Sequence, residues 1–159
     1  MNPHFGAETV KQQIAIIPTL SGAATIYGPA IDRRGYEGEA LFTILRGDAT
    51  GTPTDFAIDV TIQESDAQKS SYTDVDVAAD VADGLDSIAQ MDYDSVIYGV
   101  EVLRIKLENR KTWLRTKTVI SFTAGTSPKV YIAGIVSLFG TREIPVTQPT
   151  QDTALLASS

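Results

Sequence analysis

The sequence predicts an all-β protein: a two-layer antiparallel β-sandwich, with jelly-roll connectivity as one of its arrangements, extended N- and C-terminal arms and at most one short helix. Three observations lead to this reading. Phe56, Ile58, Val60 and Ile62 alternate with Ala57, Asp59, Thr61 and Gln63, the period-two pattern of a strand buried on one face and wet on the other. Seven or eight strand-like runs follow one another at short spacing, joined by connections rich in Gly, Pro, Ser and Thr. Helical spacing is confined to one stretch, where Val77, Val81, Leu85 and Ile88 recur about every four residues.

Residues 1–13 are mixed, polar and aperiodic, and read as an arm that orders on a partner surface. Gln13 to Ile17 is a short strand closed by Pro18, and Thr19 to Pro29 is a loop whose brief Thr25, Ile26, Tyr27 suits an edge strand. Ile31 to Gly38 is a turn-rich connection. Glu39 to Leu45 is a strand with Ala40, Phe42 and Ile44 on one face and Leu41, Thr43 and Leu45 on the other, so both faces are expected to be at least partly covered. Arg46 to Thr54 reads as a polar loop leading into the strand from Phe56, which is expected to pair with its predecessor. Glu64 to Ser70 is a polar reversal, and Tyr72 to Val75 resumes β-favouring chemistry, so Phe56 to Val75 reads as a long-looped hairpin.

Residues 76–94 stay open between helix, strand and loop, because Gly84 and the crowded aspartates disfavour a helix interior despite the spacing. Ser95 to Leu107 restores alternation, with Leu103, Ile105 and Leu107 opposite Val102, Arg104 and Lys106. Glu108 to Lys111 is a tight polar turn into a strand from Thr112 to Phe122. Val130 to Phe139 is nearly continuous apolar sequence, expected to be a central strand covered on both faces. Residues 141–159, with Pro145, Pro149, Leu155 and Leu156, read as an extended tail with a small hydrophobic anchor. The domain plan is therefore an arm over 1–13, a sandwich over 14–140 and a tail over 141–159.

Composition narrows function. At 159 residues with 43% hydrophobic and 21% charged side chains, the chain is expected to form one globular domain. A formal charge of −7 argues against a nucleic acid backbone as the main partner. Charge is uneven: eight basic residues fall between Arg104 and Arg142, whereas Asp74, Asp76, Asp80, Asp83, Asp86, Asp92 and Asp94 crowd the centre. Complementarity between copies and plain solvated faces both account for this. There is no cysteine, which removes disulfides, thiolate metal sites and thiol nucleophiles together. Nothing resembles a secretory signal or approaches the roughly 20 apolar residues of a membrane helix, so neither export nor a membrane partner is expected.

No constellation promises catalysis. His4, the sole histidine, lies in the arm, and Gly47 to Gly51 lacks both the Lys-Ser or Lys-Thr and the helix of a phosphate loop. Asp74 and Asp76 match the first positions of a calcium loop, but Ala78 and Ala79 stand where a ligand and a glycine are required. Asp92 and Asp94 would need separation of about 5 to 9.5 Å across a sugar to serve as a glycosidase pair, which spacing alone does not establish. Trp113, the only tryptophan, suits either a core position or an exposed anchor for a sugar or a protein. The expectation is therefore no enzyme, no cofactor and no metal. Candidate interface residues are Phe5 and Val10 in the arm, Trp113, and Pro145, Leu155 and Leu156 in the tail.

The succession IDRRGYEGEALFTILRG, FAIDVTIQESD, SYTDV, KTWLR and TAGTSPKVYIAGIVSLFG, over about residues 31–140, resembles small structural proteins of tailed bacteriophages. The shared features are a Gly-Tyr-Glu turn entering a strand, a Gln-Glu-Ser-Asp hairpin leading to Tyr-Thr-Asp-Val, and a Gly-Thr-Ser turn before an apolar last strand. The resemblance implies a virion component, a capsid decoration or cement protein on the outer surface of the phage head, assembled in the host cytoplasm. It further implies the major capsid protein as partner and a homo-dimer or homo-trimer. The competing expectation is a tail, connector or head-fibre module that binds host carbohydrate through Tyr and Trp.

Overall fold

The structure, a computed structural model, describes residues 10–75, 90–92 and 99–140, and for 90–92 the backbone alone. Ten strands form two sheets. One sheet holds β1 (Lys11–Ser21), β10 (Lys129–Leu138), β4 (Glu39–Thr50) and β8 (Gly99–Lys106), in that spatial order. In the other, β9 (Trp113–Thr123) is flanked on one side by β2 (Ala24–Tyr27) and β3 (Ile31–Asp32), and on the other by β5 (Asp55–Ser65). The far edge of β5 pairs with β6 (Thr73–Asp74) and β7 (Gln90–Asp92). Every pairing is antiparallel. With the short pairs β2/β3 and β6/β7 each taken as one broken strand, the eight positions and their sheet-to-sheet crossings are those of a jelly roll. The described residues contain no helix, and the ambiguous residues 76–89 lie outside them.

The core is the meeting of the two inner faces. Ala40, Phe42 and Ile44 of β4 and Val130, Ile132, Val136 and Leu138 of β10 face Phe56, Ile58, Val60 and Ile62 of β5, with Leu114 and Ile120 of β9 beside them. All are buried, as the alternation from Phe56 predicts. Each such side chain removed from water contributes about 1.5–3 kcal/mol.

Strand partners differ from expectation in two places. β5 does not pair with β4 but crosses to the opposite sheet and pairs with β9 over its whole length, from Asp55↔Thr123 to Ser65↔Trp113. The turn after Leu107 likewise carries the chain between sheets and does not close a hairpin. Arg33 holds this turn by donating from Nε to the Lys111 carbonyl at 2.8 Å, and from its terminal nitrogens to the carbonyls of Tyr36 and Arg110. The hairpin from Phe56 to Val75 does form, with Gln63↔Asp74 and Glu64↔Thr73 in register. Ser65 closes its loop, accepting from Ala67 N and donating to the Ser70 carbonyl.

Two strands outrun their predicted ends. β4 continues through Asp48 to Thr50, because β10 supplies partners as far as Lys129↔Thr50. β1 passes straight through Pro18, which sits where the register with β10 slips between Ile16 and Thr19. On an edge strand with a bulge, the missing N–H costs no ladder bond.

Candidate interaction surfaces

Of the predicted interface residues, the structure describes Val10 and Trp113. Phe5, Pro145, Leu155 and Leu156 lie outside the described residues, as do His4 and Asp94. Val10 is half-buried just ahead of β1. Trp113 opens β9, half-buried, with the Arg34 guanidinium 5.4 Å from its ring centroid. Arg34 in turn grips Asp32 at 2.7 Å, and the hydrogen bonds from Arg34 hold the Asp32 carboxyl below its ordinary pKa. Among the described residues no three His, Cys, Asp or Glu side chains are grouped to hold a metal ion.

The outer face of the six-stranded sheet is polar. Arg115 of β9 lies between two rings, 4.3 Å from the Tyr27 centroid and 4.0 Å from that of Tyr72. It donates from Nε to Gln63 Oε1 at 2.8 Å, and Gln63 Nε2 donates to Asp74 at 2.7 Å. Partial burial raises the pKa of the Tyr72 phenol, against the lowering pull of Arg115. Tyr27, Tyr72 and Trp113 thus engage guanidinium groups and do not build a bare aromatic platform for a sugar.

The outer face of the four-stranded sheet is the opposite in character. Among the described residues, Tyr27 excepted, the large apolar side chains that stand most exposed belong to this sheet: Ile14, Ile17 and Leu20 of β1, Tyr131 and Ile135 of β10, Leu45 of β4, and Val100 and Val102 of β8. Strand register shows why they assemble. Ile14 pairs with Ile135, Ile135 with Thr43, and Thr43 with Val102, giving one row across the sheet. The next row runs Ala133, Leu45, Val100, and Tyr131 pairs with Leu20 below it. Because paired residues of an antiparallel ladder share a face, these rows form a continuous apolar surface. Tyr131 is 56% exposed, Val102 47% and Ile135 43%, far from core values.

The face is not flat. A shallow hollow of about 360 Å³ lies among Leu20, Leu45, Arg46, Gly47, Tyr131 and Ala133. Gly47 keeps it open, since a Cβ there would approach the Cβ of Tyr131 to 3.1 Å. Charge is kept to the margin, with Arg104 opposite Leu41 and Lys106 opposite Glu39.

The sequence led to an expectation of at least partial cover on both faces of β4 and of full cover on both faces of β10, and the apolar pattern behind it is real. Leu41 and Thr43 of β4 are half-buried and β10 is a central strand, but within the described residues Tyr131 and Ile135 on its second face stay exposed. The signal for this surface was the two-sided apolarity itself.

No family model and no curated protein matches the chain. Among solved structures, the VP2 subviral particle of infectious bursal disease virus is similar at a TM-score of 0.51, 14% identity and 83% coverage of this chain. The Gx strain structure of the same virus gives a TM-score of 0.56 at 12% identity and 88% coverage. This chain spans about a third of the length of each of those proteins, 33% in both cases. At such identities the likeness concerns fold alone, and the chain thus shares its jelly-roll sandwich with part of the VP2 chain of infectious bursal disease virus.

Proposed function

We propose that this protein is a non-enzymatic structural component of a virion. The observation that carries the reading is the apolar outer face of the four-stranded sheet, which has the chemistry of a protein interface and no polar constellation fit for catalysis. Contiguous exposed apolar surface of this kind marks a place where another macromolecule packs. The fold shared with VP2 and the sequence resemblance to phage structural proteins both support a particle as the setting.

The finer reading is a decoration or cement protein on the outer surface of a phage head, bridging subunits of the major capsid protein as a small homo-oligomer. Its two arms would engage the capsid. The strand ends they are attached to lie side by side, since Lys11 at the start of β1 pairs with Leu138 at the end of β10. Cryo-EM of intact particles tests this: density for the jelly roll on the head exterior is expected, and density in the tail or connector would replace the decoration reading. A glycan array with a Trp113→Ala control tests the carbohydrate alternative, for which no binding is expected.

A further inference from the structure

We infer that the outer face of the four-stranded sheet is a self-association surface, on which a second copy of this chain packs face to face across a two-fold axis. The inference rests on the assembly role proposed above and names the occupant of that surface.

The edges of this sheet are poorly suited to recruiting a partner strand. β1 is interrupted by its bulge and Pro18, and β8 carries Glu101, Arg104 and Lys106 along its edge. Irregular backbone and charge are the usual means of keeping an edge from pairing. Among the described residues what stays open is the face, and a sheet face packs best on another sheet of matching twist and row spacing. A second copy supplies both by identity.

Size agrees once the β1 edge is counted. Four strands about 4.8 Å apart and the three apolar rows about 7 Å apart give a face of roughly 400 Å². Two such faces bury about 800 Å², and the surface round the β1 edge supplies the remainder of the roughly 1,000 Å² that a specific interface needs. The apolar surface also continues round the β1 edge through Ile17 to Pro29 and Ala30, where a second hollow of about 380 Å³ lies.

Relief and charge agree as well. An isologous contact needs a projection and a recess on the same patch. Here Tyr131 and Ile135 project beside the hollow floored by Gly47 and Ala133. The net charge of −7 on each copy would oppose association, yet the exposed side chains at the centre of this face are uncharged, and Arg46 beside the hollow is buried with its guanidinium over the Phe56 ring.

The test is the mass of the purified full chain by light scattering and sedimentation over a concentration series, with Ile135→Glu, Val102→Lys and, on the opposite sheet, Thr61→Glu. Wild type and Thr61→Glu should move towards twice the 17.1 kDa chain mass as concentration rises. Ile135→Glu and Val102→Lys should stay at one chain mass with unchanged circular dichroism. These sites are exposed in the single chain, so the charge is tolerated until a partner covers it; should one variant misfold, the other decides.

The chain has no native cysteine, so Ile135→Cys with a short bis-maleimide should give a covalent dimer where Thr61→Cys gives none. A mass of three chains, or a dimer indifferent to both charged variants, overturns the inference. A single-chain mass throughout, with particle binding that Ile135→Glu abolishes, overturns self-association and leaves the assembly role standing. A single-chain mass with no particle binding overturns both.

Discussion

Thr116 and Thr118 lie two positions apart on the inner face of β9, both buried, and their hydroxyls have opposite consequences. Thr116 Oγ1 donates to the Ala15 carbonyl at 2.7 Å, satisfying an acceptor at the β1 bulge. Thr118 Oγ1 has no partner among the described residues. Thr116→Val should therefore cost about 1–3 kcal/mol in urea unfolding, the penalty for a stranded buried acceptor, while Thr118→Val should be neutral or stabilising. Asp32 makes a pH-dependent contribution. Its carboxyl is held below the ordinary 3.8 by Arg34, so the stabilisation is present above that value and is lost as pH falls through the lowered folded-state pKa. Asp32→Asn should lower the melting temperature slightly near pH 7, and the difference from wild type should vanish at low pH. A core truncation sets the scale: Phe42→Ala, at a fully buried position, should cost about 3–5 kcal/mol.

The elements are held in place by close approaches that no side chain would permit. Gly28, just after β2, donates its N–H to the Thr116 carbonyl at 2.9 Å, and a Cβ there would fall 1.9 Å from the Ala15 oxygen. Gly28→Ala should thus push β2 away from the β1 bulge and destabilise by about 3 kcal/mol or more, read as a lower urea midpoint with the β-sheet spectrum retained at low denaturant. Alternation in the sequence made most strands legible, because period two records which face meets the core. It does not record which strand lies alongside. The partner of β5 is β9, with paired residues 48 to 68 positions apart in sequence, and only the crossing between sheets explains the choice. The continuation of β1 past Pro18 and of β4 past Leu45 was hidden for a related reason: a bulge and a distant partner overrule what the local residues prefer.

For the whole molecule, the legible part of the candidate surface was its chemistry and the illegible part its exposure. Leu41, Leu45, Tyr131 and Ile135 announce a second apolar face, yet nothing in a single chain tells whether the cover is internal or a neighbour. The predicted anchor Trp113 lies instead on the polar side, with Arg34 over its ring. Arm deletions test the division of labour between surfaces. Removing residues 1–9 or 141–159 should weaken cosedimentation with decoration-free particles and leave the melting temperature unchanged. The N-terminal cut stops short of Lys11, because Lys11, Gln12 and Gln13 pair with Leu138, Ser137 and Val136. That same pairing decides how the sandwich bears load. If the two arms are drawn apart, tension opens the β1–β10 ladder one hydrogen-bonded pair at a time, like a zip. If both are drawn in one direction, the ladder carries no opening force. Under the proposed capsid role, the sandwich would keep its strength only with the chain anchored beyond both of these ends on the same side.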